Sequence, residues 1–296
     1  MRPRAAGVAV VLLLHCLCAC RSGAVDPTST PPTAAVAVAS RAAPPLPDDD
    51  AGRIVARAIA AAGGWEAWAK HRDASFVSTF TVFDPLGHAV SETIFQHRMP
   101  LHQGLKIRLE SIGLIDELIF AFDGKDEWML RDGKPVDDVT RMEFIRFHAI
   151  SNAYWFSMPF VLAEIPGELS YLGSETSGDD RYEKVRVGYS DDVPVPFDWM
   201  ILYFDAETAK LERVHVHALA DFLQHSLWVG VWRDERSSGG ISIGRRRAFF
   251  PADAAGEIVG AMAAEQLVEH TEFDGGLAPE LFSRPENARL TAELES

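Results

Sequence analysis

Cysteine is the residue type in this 296-residue chain whose surroundings point most directly to chemistry. The chain has three cysteines, at positions 16, 18 and 20, and they close a short apolar run that follows two arginines. A basic start, an apolar middle and small residues before the cut are the three parts of a secretory signal. The run is too short for a transmembrane helix, which needs roughly 20 apolar residues. This order predicts a signal peptide over residues 1–19.

The residues Leu17, Cys18, Ala19 and Cys20 resemble the lipobox, the processing motif of bacterial lipoproteins, although Cys18 is an unusual occupant of its second slot. The resemblance implies cleavage before Cys20, a diacylglyceryl group on its thiol and an acyl chain on the freed amino group. Several chains matter because a single one binds a membrane only weakly. Arg21 gives no sign of the aspartate associated with inner-membrane retention, so we expect an outer-membrane anchor that faces the periplasm. The alternative is an ordinary signal peptide with incidental cysteines.

Two histidines form a second group with possible chemistry. His215 and His217 lie two apart in a predicted strand, so both side chains point to one face. His225 or Asp221 would extend the pair toward a metal site. A zinc site needs three or four converging ligands. The sequence contains neither a His-Glu-x-x-His motif nor a pair of cysteines beside these histidines that could complete such a site. Polar histidines on a half-exposed strand are the simpler interpretation, and we expect no metal and no cofactor beyond the lipid on Cys20.

Phosphate-binding motifs and the features of nucleic-acid binding are missing. No glycine-rich phosphate loop follows a strand, and the one Gly-x-Ser-x-Gly spacing, Gly240 to Gly244, opens a predicted strand instead of the strand-to-helix turn that this motif requires. The one basic cluster, Arg245-Arg246-Arg247, places at most two side chains on one face, and we interpret it as charge on an edge strand that discourages aggregation. The formal charge is −15, and removal of residues 1–19 takes away two arginines and no acid. Binding to nucleic acid depends on Lys and Arg side chains, so a net negative charge of this size excludes nucleic acid as a partner.

The elements that must position any site begin after a proline-rich segment. Residues 20–50 combine the lipidated cysteine with six prolines among Ala, Ser and Thr, and they contain no aromatic side chain. Such a segment cannot bury enough apolar surface to order itself, so we expect a disordered tether. A helix is predicted over residues 51–62, with Asp50 as its N-cap and two glycines as its stop. We expect Trp65 and Trp68 to pack beneath its end.

After this helix, short aromatic and β-branched segments alternate with turn residues, which predicts an antiparallel sheet or an open barrel. Asp123-Gly124 and Asp132-Gly133 are strong hairpin signals. Residues 140–163 break the pattern with helical spacing. Residues 257–268 fit a helix or two strands, and we favour strands, with a final one reaching residue 273. The other predicted strands cover residues 75–83, 89–97, 105–109, 114–122, 127–130, 169–172, 182–189, 199–204, 211–219, 223–232 and 241–250.

Four pieces of the chain resemble the lipoprotein-sorting (LolA/LolB-like) half-barrel superfamily, in particular a lipoprotein branch of that layout. They are Ala61-Ala62-Gly63-Gly64-Trp65 before a Ser-Phe strand, Phe122-Asp123-Gly124 with Trp128, the run from Tyr154 to Phe160 with Tyr171-Leu172-Gly173, and Leu202-Tyr203-Phe204-Asp205 with Glu207-Thr208. The resemblance spans most of residues 51–285, before a tail at 286–296. It implies one mainly β (α+β) domain, a strongly curved antiparallel half-barrel closed by the N-terminal helix and a helical, aromatic lid.

In the sorting proteins such an interior accepts lipid acyl chains, but the full sorting-protein pattern is not evident, so transport of lipoproteins is not carried over. Aromatic and methionine side chains suit adaptable apolar pockets. The alternative is that they simply plug the half-barrel as its core. The residues that we assign to a hydrophobic cavity and its lid are Trp128, Tyr154, Trp155, Phe156, Met158, Phe160 and Trp199.

We therefore expect a non-enzymatic, lipid-anchored protein of the cell envelope that binds a lipid, an acyl chain or an apolar small molecule in its half-barrel. A second interpretation is a scaffold that binds another envelope protein. A third is a hydrolase whose site lies on the face of His215 and His217.

Overall fold

The computed structural model describes residues 41–288 apart from Ile115, Asp137, Pro166 and His225, with only the backbone of Asn287. The predicted signal peptide, Cys20, the tether up to residue 40 and the last residues of the tail lie outside the described residues. Among the helices of the described part, none combines the length and the apolar character needed to span a bilayer.

The described residues form one sheet of thirteen strands. In chain order they are β1 (Asp73–Phe83), β2 (Ala89–Pro100), β3 (Ile107–Ile112), β4 (Leu118–Phe122), β5 (Glu127–Arg131), β6 (Lys134–Pro135), β7 (Glu168–Ser177), β8 (Asp180–Gly188), β9 (Phe197–Asp205), β10 (Leu211–Ala218), β11 (Leu227–Ser238), β12 (Ile241–Pro251) and β13 (Ala264–Phe273). The order across the sheet is β6-β5-β4-β3-β2-β1-β13-β12-β11-β10-β9-β8-β7, and neighbours are antiparallel. The sheet is curved and open, so the predicted half-barrel is confirmed.

Both predicted Asp-Gly turns connect paired strands. Asp123 begins the turn from β4 to β5, and its side chain accepts the backbone N–H groups of Lys125 and Asp126. Asp132 and Gly133 have φ angles of 50° and 71° and join β5 to β6. Positive φ at both central residues is the geometry of a tight hairpin turn, which explains why this dipeptide signals one.

The prediction of strand structure over residues 257–263 is wrong. In that region an isolated bridge joins Ala252 to Ile258, and β13 begins only at Ala264. Asp253 accepts the backbone N–H groups of Ala255 and Glu257 at 2.9 Å each, which closes the segment into a loop. Side-chain bonds of this kind compete with a strand ladder.

Helices α1 (Asp50–Ala61) and α2 (Trp65–Lys70) lie at the start of the described body. The predicted helix over 51–62 is confirmed, but its N-cap is Asp49, whose carboxylate accepts the N–H of Gly52 at 2.9 Å. Between the helices, Gly63 has a φ of 118°, and a Cβ there would lie 2.3 Å from the carbonyl oxygen of Gly240. Glycine is therefore required at this position.

The predicted helical segment over 140–163 forms two helices, α3 (Val139–Phe156) and α4 (Val161–Glu164). Asp138 caps α3 by accepting the N–H of Arg141 at 3.1 Å. The last eight residues of α3 are all buried, so this half of the helix is enclosed on every side. It shares one hydrophobic core with buried side chains of the sheet, which include Phe76, Leu109, Phe120, Met200, Leu202, Val214 and Val268.

Candidate ligand-binding site

The aromatic segment at the end of α3 fills the concave face of the half-barrel. Phe156 stacks on Phe76 of β1, with ring centroids 4.4 Å apart. Trp155 stacks on Phe197 of β9 at 5.2 Å, on the other side of the helix. These rings reach strands on both sides of the sheet centre, so α3 closes the interior as a plug.

The segment after α3 continues this packing toward the other end of the barrel. Phe160 is fully buried and stacks on Trp68 of α2, with ring centroids 4.6 Å apart. Met158, in the same segment, is 7% exposed and therefore also buried. Within α3 itself, the hydroxyl of Tyr154 contacts the hydroxyl of Tyr189. The structure therefore brings together five of the seven residues assigned to the cavity and lid, and it places them in the core.

The other two assigned residues, Trp128 and Trp199, lie on the outer face of the sheet. Trp128 donates from Nε1 to the carbonyl of Phe282 at 3.1 Å and is covered by the C-terminal segment. Trp199 packs against the rings of His215 and His217. The assignment of these two tryptophans to the cavity is wrong because it was based on residue type alone. Side chains alternate along a strand, so the neighbouring residues Met129 and Met200 point inward instead.

Beneath the middle of α3 lies a group of buried polar side chains that the sequence did not predict. Each of its members is at most 6% exposed. We call it the interior polar cluster, and it consists of Ser78, His97, Asn152, Arg247 and Gln266. Ser78 Oγ lies 2.8 Å from His97 Nε2. Gln266 donates to Asn152 Oδ1, which ties β13 to the helix.

Arg247 is the charged member of this cluster. Its Nη1 donates to Gln266 Oε1 at 2.8 Å, and its Nη2 donates to the carbonyl of Trp155 in the last turn of α3 at 3.2 Å. Its Nε is buried without a partner among the described residues. No carboxylate of the described residues forms an ion pair with it, whereas its neighbours Arg245 and Arg246 pair with acidic side chains.

The interpretation of Arg245 to Arg247 as charge on an edge strand is therefore wrong. Their strand, β12, lies between β11 and β13 in the middle of the sheet. Alternation sends Arg246 outward to Glu265 and Arg247 inward, where it is fully buried. No local sequence signal distinguishes the two cases, because the central position of β12 depends on its pairing with β11 and β13.

Burial fixes the protonation states in the cluster. Burial, and after it the charge of Arg247, lowers the pKa of His97 to about 3, so this ring is neutral at neutral pH. Burial lowers the pKa of the Arg247 guanidinium to about 9, which leaves it charged at the same pH. The interior polar cluster thus carries one positive charge and no negative one. An isolated buried charge is strongly unfavourable.

Helix α4 is held by a second polar contact, at Glu164. Its Oε1 accepts from Trp68 Nε1 at 3.1 Å and lies 2.5 Å from His102 Nδ1. His102 Nε2 donates to the carbonyl of His71 at 3.0 Å, so the short contact at Nδ1 needs one proton, on the ring or on the carboxyl group. Burial raises the pKa of Glu164 to about 7, against the opposing effects of the Trp68 hydrogen bond and the Arg41 charge.

The end of the half-barrel where α3 begins is apolar and partly open to solvent. Phe144 of α3 is 38% exposed and contacts Phe222, with ring centroids 5.2 Å apart. Phe147 approaches the same ring at 5.4 Å. These three rings form a half-exposed apolar rim, which we call the aromatic rim.

Two cavities of the described part lie beside the helices. One of about 40 Å³ is lined by Trp155, Phe156, Met158 and Trp232 among others. This volume holds a few water molecules and no acyl chain. The second, of about 240 Å³, is an apolar groove between α1 and residues 43–46 that also touches Trp65.

The histidine pair does not form a metal site among the described residues. His217 Nδ1 lies 2.8 Å from Asp198 Oδ1, while His215 is buried beneath the loop at Gly256. No group of three or more potential metal ligands occurs in the described part, and His225 lies outside it. Both rings lie on one face of β10 beside Trp199, as predicted, but His215 is buried, so the prediction of a half-exposed face is wrong for that residue.

The comparisons with known proteins agree on the fold. No family model and no curated protein match the chain. A LolA superfamily protein from Nitrosomonas europaea matches over 79% of this chain and 97% of its own, with a TM-score of 0.53 and 10% sequence identity. At this identity the match shows a shared fold. The predicted resemblance to the LolA-like half-barrel is confirmed at that level.

Two further solved structures match with lower TM-scores. A domain described as an outer membrane lipoprotein-sorting protein, from Vibrio parahaemolyticus, has a TM-score of 0.48 and 10% identity over 77% of this chain and 94% of that one. A DUF1329 family protein from Desulfovibrio piger has a TM-score of 0.49 and 9% identity over 79% and 98%.

Proposed function

We propose that this chain is a non-enzymatic lipoprotein of the cell envelope, anchored through lipid on Cys20, whose half-barrel binds an apolar ligand or acyl chain beneath α3 and α4. The observation that carries the proposal is the way α3 is seated. The buried second half of α3 packs into the concave face, yet its contact with the sheet leaves buried polar groups unpaired.

Three such groups lie at this contact: Ser151 Oγ on the helix, and His97 Nδ1 and Arg247 Nε on the sheet. A buried polar group without a hydrogen bond costs about 1–3 kcal/mol. The plug is therefore bound less tightly than its apolar area suggests. A segment that moves aside to admit a ligand must be one of the less stable parts of a fold, and weak seating of α3 meets this requirement.

Beneath α3, space for a ligand appears only when the plug moves. The cavity of about 40 Å³ at Trp155 and Trp232 is too small for an acyl chain in the described state. The aromatic rim offers an apolar entry at the end where α3 begins. We infer that a ligand enters between the sheet and the first half of α3 and takes over contacts that Trp155 and Phe156 now make.

Photo-crosslinking tests this function in cells. The full chain is produced in bacteria fed a long-chain fatty acid that carries a photoactivatable diazirine, irradiated and digested, and the modified peptides are identified by mass spectrometry. The matched control is Cys20→Ser, which removes the covalent anchor, so that adducts in this variant report a non-covalently bound chain.

Adducts in the peptides of α3, or of the strands that face it, are expected in both chains. Labelling of the outer face alone, or no labelling beyond Cys20, would contradict the proposal. That result would favour the second interpretation, in which the half-barrel is a rigid body that binds another envelope protein.

A further inference from the structure

Arg247 has a feature that binding of a purely apolar chain does not explain: a full positive charge at the centre of an apolar interior. We propose that its guanidinium binds the head group of a monoanionic amphiphile, either a carboxylate or a phosphodiester, whose chain occupies the half-barrel. This inference rests on the proposed function and names the class of ligand for it.

The geometry of the guanidinium shows how the head group would bind. Nη1 is held by Gln266 of the neighbouring strand, which fixes the plane of the guanidinium on the sheet. Nε has no partner, and the acceptor of Nη2 is the carbonyl of Trp155, which belongs to the plug. When α3 moves, this acceptor leaves with it.

Nε and Nη2 then become two free donors on one edge of the guanidinium. This edge matches the two oxygens of a carboxylate or phosphodiester, which accept a pair of parallel N–H bonds. In the plugged state the helix carbonyl satisfies half of this edge. A ligand anion would satisfy both donors and also neutralise the charge.

The charge of the cluster defines the charge of the ligand. His97 is neutral at neutral pH, and the other members, Ser78, Asn152 and Gln266, are uncharged. One positive charge is balanced by one negative charge, whereas a doubly charged phosphate would leave an unpaired charge in the interior. Because the formal charge of the whole chain is −15, the preference has to come from this local contact and not from the overall field.

A binding comparison with four ligands tests the inference. The full chain in the Cys20→Ser form is titrated with a long-chain fatty acid and its methyl ester, and with a lysophosphatidylglycerol and a monoacylglycerol of equal chain length. Each titration follows displacement of a fluorescent fatty-acid analogue at neutral pH. Within each pair the chain is constant and the negative charge differs.

The natural residue is compared with Arg247→Met and Arg247→Lys, and the matched control is Arg246→Met, next in sequence on the outer face. We expect the natural chain and the control to bind the acid of at least one pair about tenfold more tightly than its neutral partner, equal to about 1.4 kcal/mol. The preferred pair identifies the head group. Arg247→Met should bind both members equally, at the affinity of the neutral one.

Arg247→Lys keeps the charge without the two-pronged edge, so its preference should be smaller than in the natural chain. Binding of the neutral ligands shows that each variant is folded. Equal binding of charged and neutral ligands by the natural chain, or a preference that survives Arg247→Met, would overturn the inference and leave the proposed function intact. If none of the four ligands binds, the proposed function itself fails.

Discussion

Replacement of Glu164 by glutamine should change how the stability of the protein depends on pH. Glu164 ties α4 to Trp68 and His102, and its side chain is 19% exposed. Glutamine has nearly the same size and keeps polar atoms for both partners, but it cannot lose a proton. The variant therefore removes one titration with little change in packing.

The size of the effect follows from the two pKa values. Burial raises the pKa of Glu164 from 4.5 to about 7 in the folded protein. Between these values the unfolded chain has released the proton while the folded protein retains it, so the free energy of unfolding falls as pH rises. The stabilisation is fully present below pH 4.5 and is lost as pH rises through 7. With about 1.4 kcal/mol for each pKa unit, the loss amounts to roughly 3 kcal/mol.

Urea unfolding followed by tryptophan fluorescence between about pH 5 and pH 8 measures this loss. Trp68 is fully buried and bonded to Glu164, so it reports directly on this part of the body. The free energy of unfolding of Glu164→Gln minus that of the natural chain should increase by roughly 3 kcal/mol across the range. Taking the difference cancels the titration of buried histidines that do not contact Glu164, such as His97.

The matched control is Glu66→Gln in α2, a glutamate whose side chain is 81% exposed. Its difference curve should be flat to within about 0.5 kcal/mol, as is usual for surface substitutions. If the Glu164→Gln curve is equally flat, the contact between Glu164 and His102 does not hold a proton, and this account of how α4 is attached is refuted.

Three other changes test separate parts of the structure by the same unfolding measurement. Phe156→Ala removes the ring stacked on Phe76 and should lower the free energy of unfolding by about 3–5 kcal/mol; a loss below about 1 kcal/mol would show that the ring is not part of the core. His97→Gln should reduce the acid sensitivity between pH 6.5 and 5 by about 2 kcal/mol, because a histidine whose folded pKa is about 3 withholds a proton that the unfolded chain accepts below pH 6.5; unchanged acid sensitivity would contradict this. Gly63→Ala should destabilise by about 1–3 kcal/mol through its positive φ and the contact with Gly240, whereas a neutral result would mean that the turn rearranges.

The strands and the plug were predictable because each depends on a local pattern. Alternation of aromatic and β-branched residues with turn signals located most of the sheet, and the helical spacing from residue 140 located α3. The same alternation separates Trp128 from Met129 and Trp199 from Met200. Which of the two sets faces inward depends on the curvature of the sheet and on what covers each side, and a single strand does not contain that information.

The interior polar cluster was not predictable for a different reason. Its members come from β1, β2, β12, β13 and α3, and they meet only because β13 inserts between β1 and β12. Three consecutive arginines have the same local sequence signal whether their strand lies at the edge or in the centre. The order in which the strands pair determines that Arg247 lies in a central strand. Pairing between the first and last strands is a long-range property of the chain.

Two polar contacts of the segment from α3 to α4, at Arg247 and at Glu164, depend on pH in the same direction, the first of them through ionisation of the proposed ligand. At Arg247 an acidic ligand competes with the carbonyl of Trp155 only in its ionised form. At Glu164 the proton shared with His102 holds α4, and its loss near pH 7 weakens that attachment. A fall in pH therefore discharges a carboxylate ligand and tightens the plug, while a rise charges the ligand and loosens it. In the proposed site, ligand ionisation and plug release reinforce each other, so acid binding should depend on pH more steeply than ionisation of the ligand alone requires.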